Sequence, residues 1–177
     1  MNDEKRLADG LVIVYTGHGK GKTTAALGLA LRAVGHGLRV CIVQFIKGPW
    51  PTGEAAALAR FAEIELHVKG CGFTWASAPK EVKQAAAEGW QLARQKVLSG
   101  RFDLVILDEL TYLLRYGLLA EEEVLDLCGS RPAGLHLVIT GRNASPGLIA
   151  AADLVTEMQE IKHPHARGDK TRKGIEY

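Results

Sequence analysis

The chain has 177 residues, enough for one domain with a real core and short for two. Hydrophobic residues make up 47% and charged residues 24%, an ordinary globular composition in which no apolar run reaches the ~18–20 residues of a membrane helix. With 22 basic and 20 acidic residues the net charge is +2, so overall charge argues for neither nucleic acid nor a membrane surface, and any electrostatic function must be local.

The start, "MNDEKRLADG", is polar and has no signal-peptide core. "GLVIVYTG" (10–17) is a continuous apolar run that stops at glycine, as a strand buried on both faces does. A helix follows from Lys22 to His36, with Ala25, Leu29 and Ala33 on one stripe, Ala26 and Ala30 beside it, and Gly35 and Gly37 to end it. "LRVCIVQF" (38–45) is the second strand, and Cys41 inside it reads as a small core residue. The Gly/Pro-rich loop "IKGPWPTGE" and a short Ala-rich helix lead to "EIELHV" (63–68), whose alternation suits an edge strand. "KGCGFTWASAP" (69–79) is an irregular loop with two large aromatics. Ser77 and Pro79 then open a long helix that Gly100 closes.

"FDLVILDE" (102–109) is a buried strand ending in two carboxylates. Glu121–Glu123 begin another helix, as acids favour a positive helix N-terminus. "LHLVIT" (135–140) is a strand, Ser145-Pro146 opens a short helix, and "DLVTEMQ" is the last strand before a basic, irregular tail. Strands alternating with helices predict a single-domain α/β fold spanning 1–177, a three-layer sandwich around a mostly parallel sheet. Cys41, Cys71 and Cys128 are far apart without metal-ligand spacing, so reduced thiols in a cytoplasmic protein are expected.

"TGHGKGKT" (16–23) lies between the first strand and the first helix. Glycines let backbone N–H groups point inward, and the helix N-terminus adds positive character. Lys22 supplies a full charge and Thr23 a hydroxyl for magnesium. The strict phosphate-loop pattern has glycine where Thr16 stands. A glycine-rich turn with incidental lysines is the plain alternative, disfavoured because strand and helix both lie where the motif needs them. An acid at the end of "LVILDE" can meet the magnesium ion beside the loop threonine. Arg142 in "TGRN" can be a charge clamp or a surface arginine. These features point to magnesium and a nucleoside triphosphate. They leave open a hydrolase or kinase acting near the terminal phosphate, and a transferase using another part of ATP.

Beyond the loop, "YTGHGKGKTTAALGLALRAVGHG", "VQFIKGPWPTGE", "GFTW", "VILDELTY", "VITGRN" and "KGIEY" occur in one order. Together they resemble the ATP:corrinoid adenosyltransferases built on a P-loop (RecA-like) fold, over about Gly10 to Tyr177. The resemblance implies transfer of the 5′-deoxyadenosyl group of ATP to the cobalt(I) of a corrinoid with release of triphosphate. It also implies a role in adenosylcobalamin synthesis or salvage. The family loop usually begins with threonine, as at Thr16, and its ATP lies in reverse sense along the loop. Carried over residue by residue, Gly17, His18, Gly19, Lys20, Gly21, Lys22, Thr23, Thr24 and Arg142 would bind ATP. Thr23 and Glu109 would hold magnesium, and Asp108 would orient. Lys22, Phe73 and Trp75 would carry the chemistry, the two aromatics covering one face of the macrocycle. Phe73 and Trp75 packed into the core is the plain alternative.

Departures are few. His18 stands where the family often has asparagine; it can donate to a phosphate oxygen or face solvent. Arg172 stands where glutamine is frequent. Only about ten residues precede the first strand, which puts capping of a dimer partner from this end in question. His163 and His165 flank Pro164 and are expected on the surface, since two histidines without a third ligand make a weak metal site. The basic tail is either a solvated end or a cover over the nucleotide, and "GIEY" favours order. ATP, a corrinoid, a flavoprotein reductant and a second copy of the chain are the expected partners, with no nucleic acid and no membrane. The rivals are a P-loop ATPase module acting on a protein or nucleic-acid partner, in which "GFTW" has no role, and a corrinoid carrier, against which the phosphate loop argues.

Overall fold

The computed structural model describes residues 9–48, 50–72, 79–164 and 168–175. Phe73, Trp75, Ser77 and His165 lie outside the described residues. In chain order the elements are β1 (Val12–Thr16), α1 (Lys22–Val34), β2 (Val40–Gln44), α2 (Gly53–Leu58), β3 (Ile64–Val68), α3 (Pro79–Leu98) and β4 (Leu104–Asp108). Then come α4 (Thr111–Arg115), α5 (Glu121–Ser130), β5 (His136–Thr140), α6 (Pro146–Ala151) and β6 (Leu154–Glu157). The strands form one six-stranded sheet in the order β3-β2-β4-β5-β1-β6, and every pairing is parallel.

Alternation along each central strand builds two separate cores. Val12 and Val14 of β1 face one way with Cys41 and Val43 of β2 and Val105 and Leu107 of β4. Ala86, Trp90, Ala93 and Val97 of α3 and Val124, Leu127 and Cys128 of α5 cover that face. Ile13, Val40, Ile42, Leu104, Ile106 and Val138 face the other way, beneath α1 and Leu58 of α2. That is the three-layer sandwich the strand and helix alternation predicts. The likeness of β1, β2, β4 and β5 to apolar runs follows from burial on both faces.

Local signals account for the helix ends. Thr52 caps α2 by accepting from Ala55 N at 3.2 Å, and Ser145 caps α6 by accepting from Leu148 N at 3.3 Å. Gly35 follows α1, with its N–H bonded to Leu31 O at 3.0 Å. On α1 the buried stripe is Ala26, Leu27, Ala30 and Ala33, rotated by one position from the expected Ala25–Leu29–Ala33 line. Alanines on that stripe let the helix lie close to the sheet. The predicted edge strand is β3, which pairs only with β2 and is half-exposed throughout. The short helix α4 has no counterpart in the sequence reading. The acids at the start of α5 have specific partners besides the helix end: Trp90 Nε1 donates to Glu123 at 3.0 Å and Ser145 Oγ to Glu121 at 2.6 Å.

Candidate active site

The four central strands each end on a polar residue: Thr16, Gln44, Asp108 and Thr140. All four are buried at the carboxyl ends of a parallel sheet, where ligand crevices form in open α/β folds. Three of these side chains are joined through Asp108. Asp108, with 1% of its surface exposed, accepts from Thr140 Oγ1 at 2.8 Å, Thr23 Oγ1 at 2.9 Å and Gln44 Nε2 at 2.9 Å. A buried carboxylate is tolerable only when it is satisfied in this way. Thr16 Oγ1 accepts from Ala144 N at 3.0 Å. Threonine at the first loop position therefore fastens β1 to the segment after β5, a contact glycine cannot make.

The phosphate loop runs from Gly17 to Gly21. Gly17 and Gly21 have φ of 92° and 114°, in the left-handed region that favours glycine. Gly17 and Gly19 are also needed for space. A Cβ on either would lie within 2.4–2.7 Å of the Met158 or Gln159 carbonyl oxygen. Gly19 N donates to Met158 O at 2.6 Å and Met158 N to Thr16 O at 2.9 Å, so the chain leaving β6 backs the loop from outside. Lys22 Nζ lies 2.7 Å from both the Gly17 and Gly19 carbonyl oxygens. Burial, and then the Arg142 charge, lower its pKa, against the pull of Glu109 and Asp108.

Glu109 differs from its neighbour Asp108. Its φ is 63°, unusual for a non-glycine residue, and its N–H donates to Thr140 Oγ1 at 2.9 Å. That turn sends its carboxylate into the cavity while Asp108 points into the sheet. Burial and the adjacent Asp108 push the Glu109 carboxyl up to about 7, against the opposing charges of Lys47, Lys22 and Arg142. Arg142 follows Gly141, whose Cβ position is occupied by Thr111 Oγ1 at 2.0 Å, and the Arg142 carbonyl accepts from that hydroxyl at 2.7 Å.

These parts surround a cavity of about 620 Å³. His18, Gly19, Lys20, Gly21, Lys22, Thr23, Thr24 and Arg142 all line it, as does Glu109; Gly17, the remaining predicted loop residue, does not line it. Thr23 and Glu109 bring hard oxygen donors to one space, a set suited to magnesium. Thr23 spends its hydroxyl proton on Asp108, which leaves its lone pairs available to a cation. Asp108 is filled by its three donors and fits the orienting role. The proposed aromatic cover at Phe73 and Trp75 falls outside the described residues.

The sequence reading missed five contributors. Gln44 and Thr140 were passed over as strand residues. Lys47 and Glu54, paired at 3.2 Å, line the cavity from the segment between β2 and α2. Tyr112 lines it from α4. Of the tail's described residues, Glu160, His163, Gly174 and Ile175 border the cavity, while Ile161 and Ile175 stay largely in solvent at 88% and 67% exposed. His163, expected on the surface, is half-buried there. Among the described residues no cluster of three or more histidine, cysteine or acidic side chains is placed to hold a metal by itself.

Comparison with known proteins follows the same line. A family model described as ATP:corrinoid adenosyltransferase BtuR/CobO/CobP matches residues 8–177. A corrinoid adenosyltransferase of Pseudomonas aeruginosa is 46% identical over 170 residues, covering 95% of this chain and 84% of that one. The corrinoid adenosyltransferase CobA of Salmonella typhimurium is 44% identical over 169 residues, covering 95% and 86%. Among solved structures, the type III secretion ATPase EscN of enteropathogenic E. coli superimposes with a TM-score of 0.52 at 18% identity, over 86% of this chain and 45% of that one. That likeness concerns the P-loop fold alone.

Proposed function

The chain belongs to the ATP:corrinoid adenosyltransferase family, and we propose that the cavity behind the loop at 17–24 is where it does this family's work. The enzyme transfers the 5′-deoxyadenosyl group of ATP to the cobalt of a corrinoid. The reduced substrate cobalt supplies the electron pair that forms the new cobalt–carbon bond. The bond from the 5′ carbon to oxygen breaks, and its electrons leave with the triphosphate. No protein nucleophile or general base is required. The protein's part is to hold the reactants in line and to stabilise the departing polyanion.

The observation that carries the residue assignment is the convergence of Lys22, the loop N–H groups, Thr23 and Glu109 on one cavity. In this reading the N–H groups from Lys20 to Thr24 and the Lys22 ammonium receive the phosphates. Lys22 exchanges its two loop carbonyls for phosphate oxygens. Thr23 and Glu109 would hold magnesium, which when bound spreads the charge of the leaving group. Asp108 and Thr140 keep Thr23 and Glu109 in position. Arg142 clamps charge at the cavity rim, and Glu160, His163, Gly174 and Ile175 limit access of water. Phe73 and Trp75 are assigned to the corrinoid by the family resemblance of "GFTW".

The same proposal treats residues 1–177 as one domain acting as a homodimer and supplied with electrons by a flavoprotein. It places the enzyme in the cytoplasm, where its three unpaired cysteines stay reduced. Light scattering tests the dimer, and reconstitution with a reduced flavoprotein tests the electron supply. Phosphorus NMR of a single-turnover mixture tests the reaction. Intact triphosphate should appear in step with adenosylcorrinoid, with little hydrolysis of ATP when corrinoid is omitted. ADP as the main phosphorus product would overturn it.

A further inference from the structure

Lys47 has no part in the assignment above, yet it lines the same cavity as Lys22 and Glu109. Its Nζ lies 3.2 Å from Glu54 Oε1, and both side chains are half-buried. The backbone beneath it is held on two sides. A Cβ on Gly70 would lie 2.3 Å from the Ile46 carbonyl carbon and 2.6 Å from Lys47 O. The Trp50 ring packs over Gly48 and Gly72, 2.5 and 2.4 Å from where their Cβ atoms would be. Glu54 stands in the first turn of α2, fixed by the Thr52 cap. The base of the lysine is therefore anchored, while its flexible stem leaves the ammonium free to move between acceptors.

The charges in the cavity show where it would move. Lys20, Lys22, Lys47 and Arg142 share the wall with the carboxylates of Glu54, Glu109 and Glu160. A polyphosphate offers an ammonium several charged oxygens, where Glu54 offers one carboxylate. Charge-assisted hydrogen bonds to such oxygens are among the strong ones in a half-desolvated site. We propose that Lys47 is a further polyphosphate-binding cation, held on Glu54 and transferred to the phosphate oxygens of bound ATP. This rests on the adenosyl-transfer reading only for the identity of the nucleotide. It adds a cation from the β2–α2 segment, opposite in sequence origin to the loop lysines.

The test uses the full-length enzyme, with magnesium–ATP and inorganic tripolyphosphate as probes, in calorimetry without corrinoid. Lys47→Met should weaken both by about 10- to 100-fold, as loss of a charged hydrogen bond does, while its thermal midpoint stays near that of the parent. Lys47→Arg should recover most of the loss. Glu54→Gln removes the competing carboxylate and should tighten tripolyphosphate binding. Unchanged tripolyphosphate affinity in Lys47→Met overturns the proposal. So do equal losses in Lys47→Met and Glu54→Gln, which mark a pair that only holds α2. A defect confined to the KM for corrinoid also overturns it. Because binding is read without corrinoid, a chain that binds polyphosphate through Lys47 but transfers no adenosyl group would sink only the functional reading.

Discussion

The centre of the sheet and its β3 edge both carry a carboxylate ringed by donors, and the two behave oppositely. At the centre, Asp108 is 1% exposed and holds Thr23, Thr140 and Gln44. At the edge, Glu65 on β3 meets Lys96 at 2.5 Å, Arg101 at 3.1 Å and His67 at 3.4 Å, with a third of its own side chain in solvent. The edge has more formal charge and, at Lys96, the shortest contact of either region, yet water stands ready to replace every partner. The centre has neutral donors and is shut off from solvent, so each bond there decides where a neighbouring group points. Burial, and not the number of charges, separates a site from a surface cluster.

Perturbing the two regions in turn tests this. Lys22→Ala, at the mouth of the central region, should lower turnover by roughly 10²–10³-fold or more with an unchanged circular dichroism spectrum; near-parental activity would undo the phosphate assignment. Asp108→Ala leaves three donors without an acceptor and should cost about 2–4 kcal/mol in urea unfolding. Thr140→Val preserves shape but removes the hydroxyl that donates to Asp108 and accepts from Glu109 N. It should cost about 1–2 kcal/mol and raise the magnesium concentration needed for half-maximal activity.

At the edge, Glu65→Gln should change stability by less than about 1 kcal/mol near neutral pH. Its pH dependence has a definite sign. The hydrogen bond from Lys96, foremost, holds the Glu65 carboxyl below its usual 4.5, against the opposing effect of burial. The folded state therefore binds that proton less readily than the unfolded chain. The stabilisation is fully present above about pH 4.5 and is lost as pH falls through the folded value. Glu65→Gln should flatten that acid limb. An effect at Glu65 as large as that at Asp108 would erase the distinction between the two regions.

Much of this arrangement was legible from residue order. The strand–loop–helix unit at 10–36 and the acid-ending strand at 102–109 bring Lys22, Thr23 and Glu109 to one cavity, and each signal is local. Glu109 and Asp108 were separable only by resemblance; the structural difference is the φ of 63° at Glu109, which no spacing rule reveals. Gln44 and Thr140 left a signal that a closer reading can use: both are polar residues closing apolar strands, in step with Thr16 and Asp108. Lys47 and Glu54 left none, since a lysine and a glutamate seven residues apart in a Gly/Pro-rich loop acquire meaning only when β2 and β1 share a sheet. The tail residues at the cavity were equally non-local, as they depend on Met158 reaching back to Gly19.

The pairing of β1 sets the order in which a newly made molecule can become competent. β1 and its loop leave the ribosome early, but their neighbours are β5 and β6, and Val12 waits for Asp153, 141 residues later. Until then the apolar strand has no partners in its final sheet, and the loop lacks the carbonyl of Met158 that shapes it. Such distant pairings form late and slowly. An incomplete chain therefore has the phosphate-binding letters before it has the contacts that give them their shape.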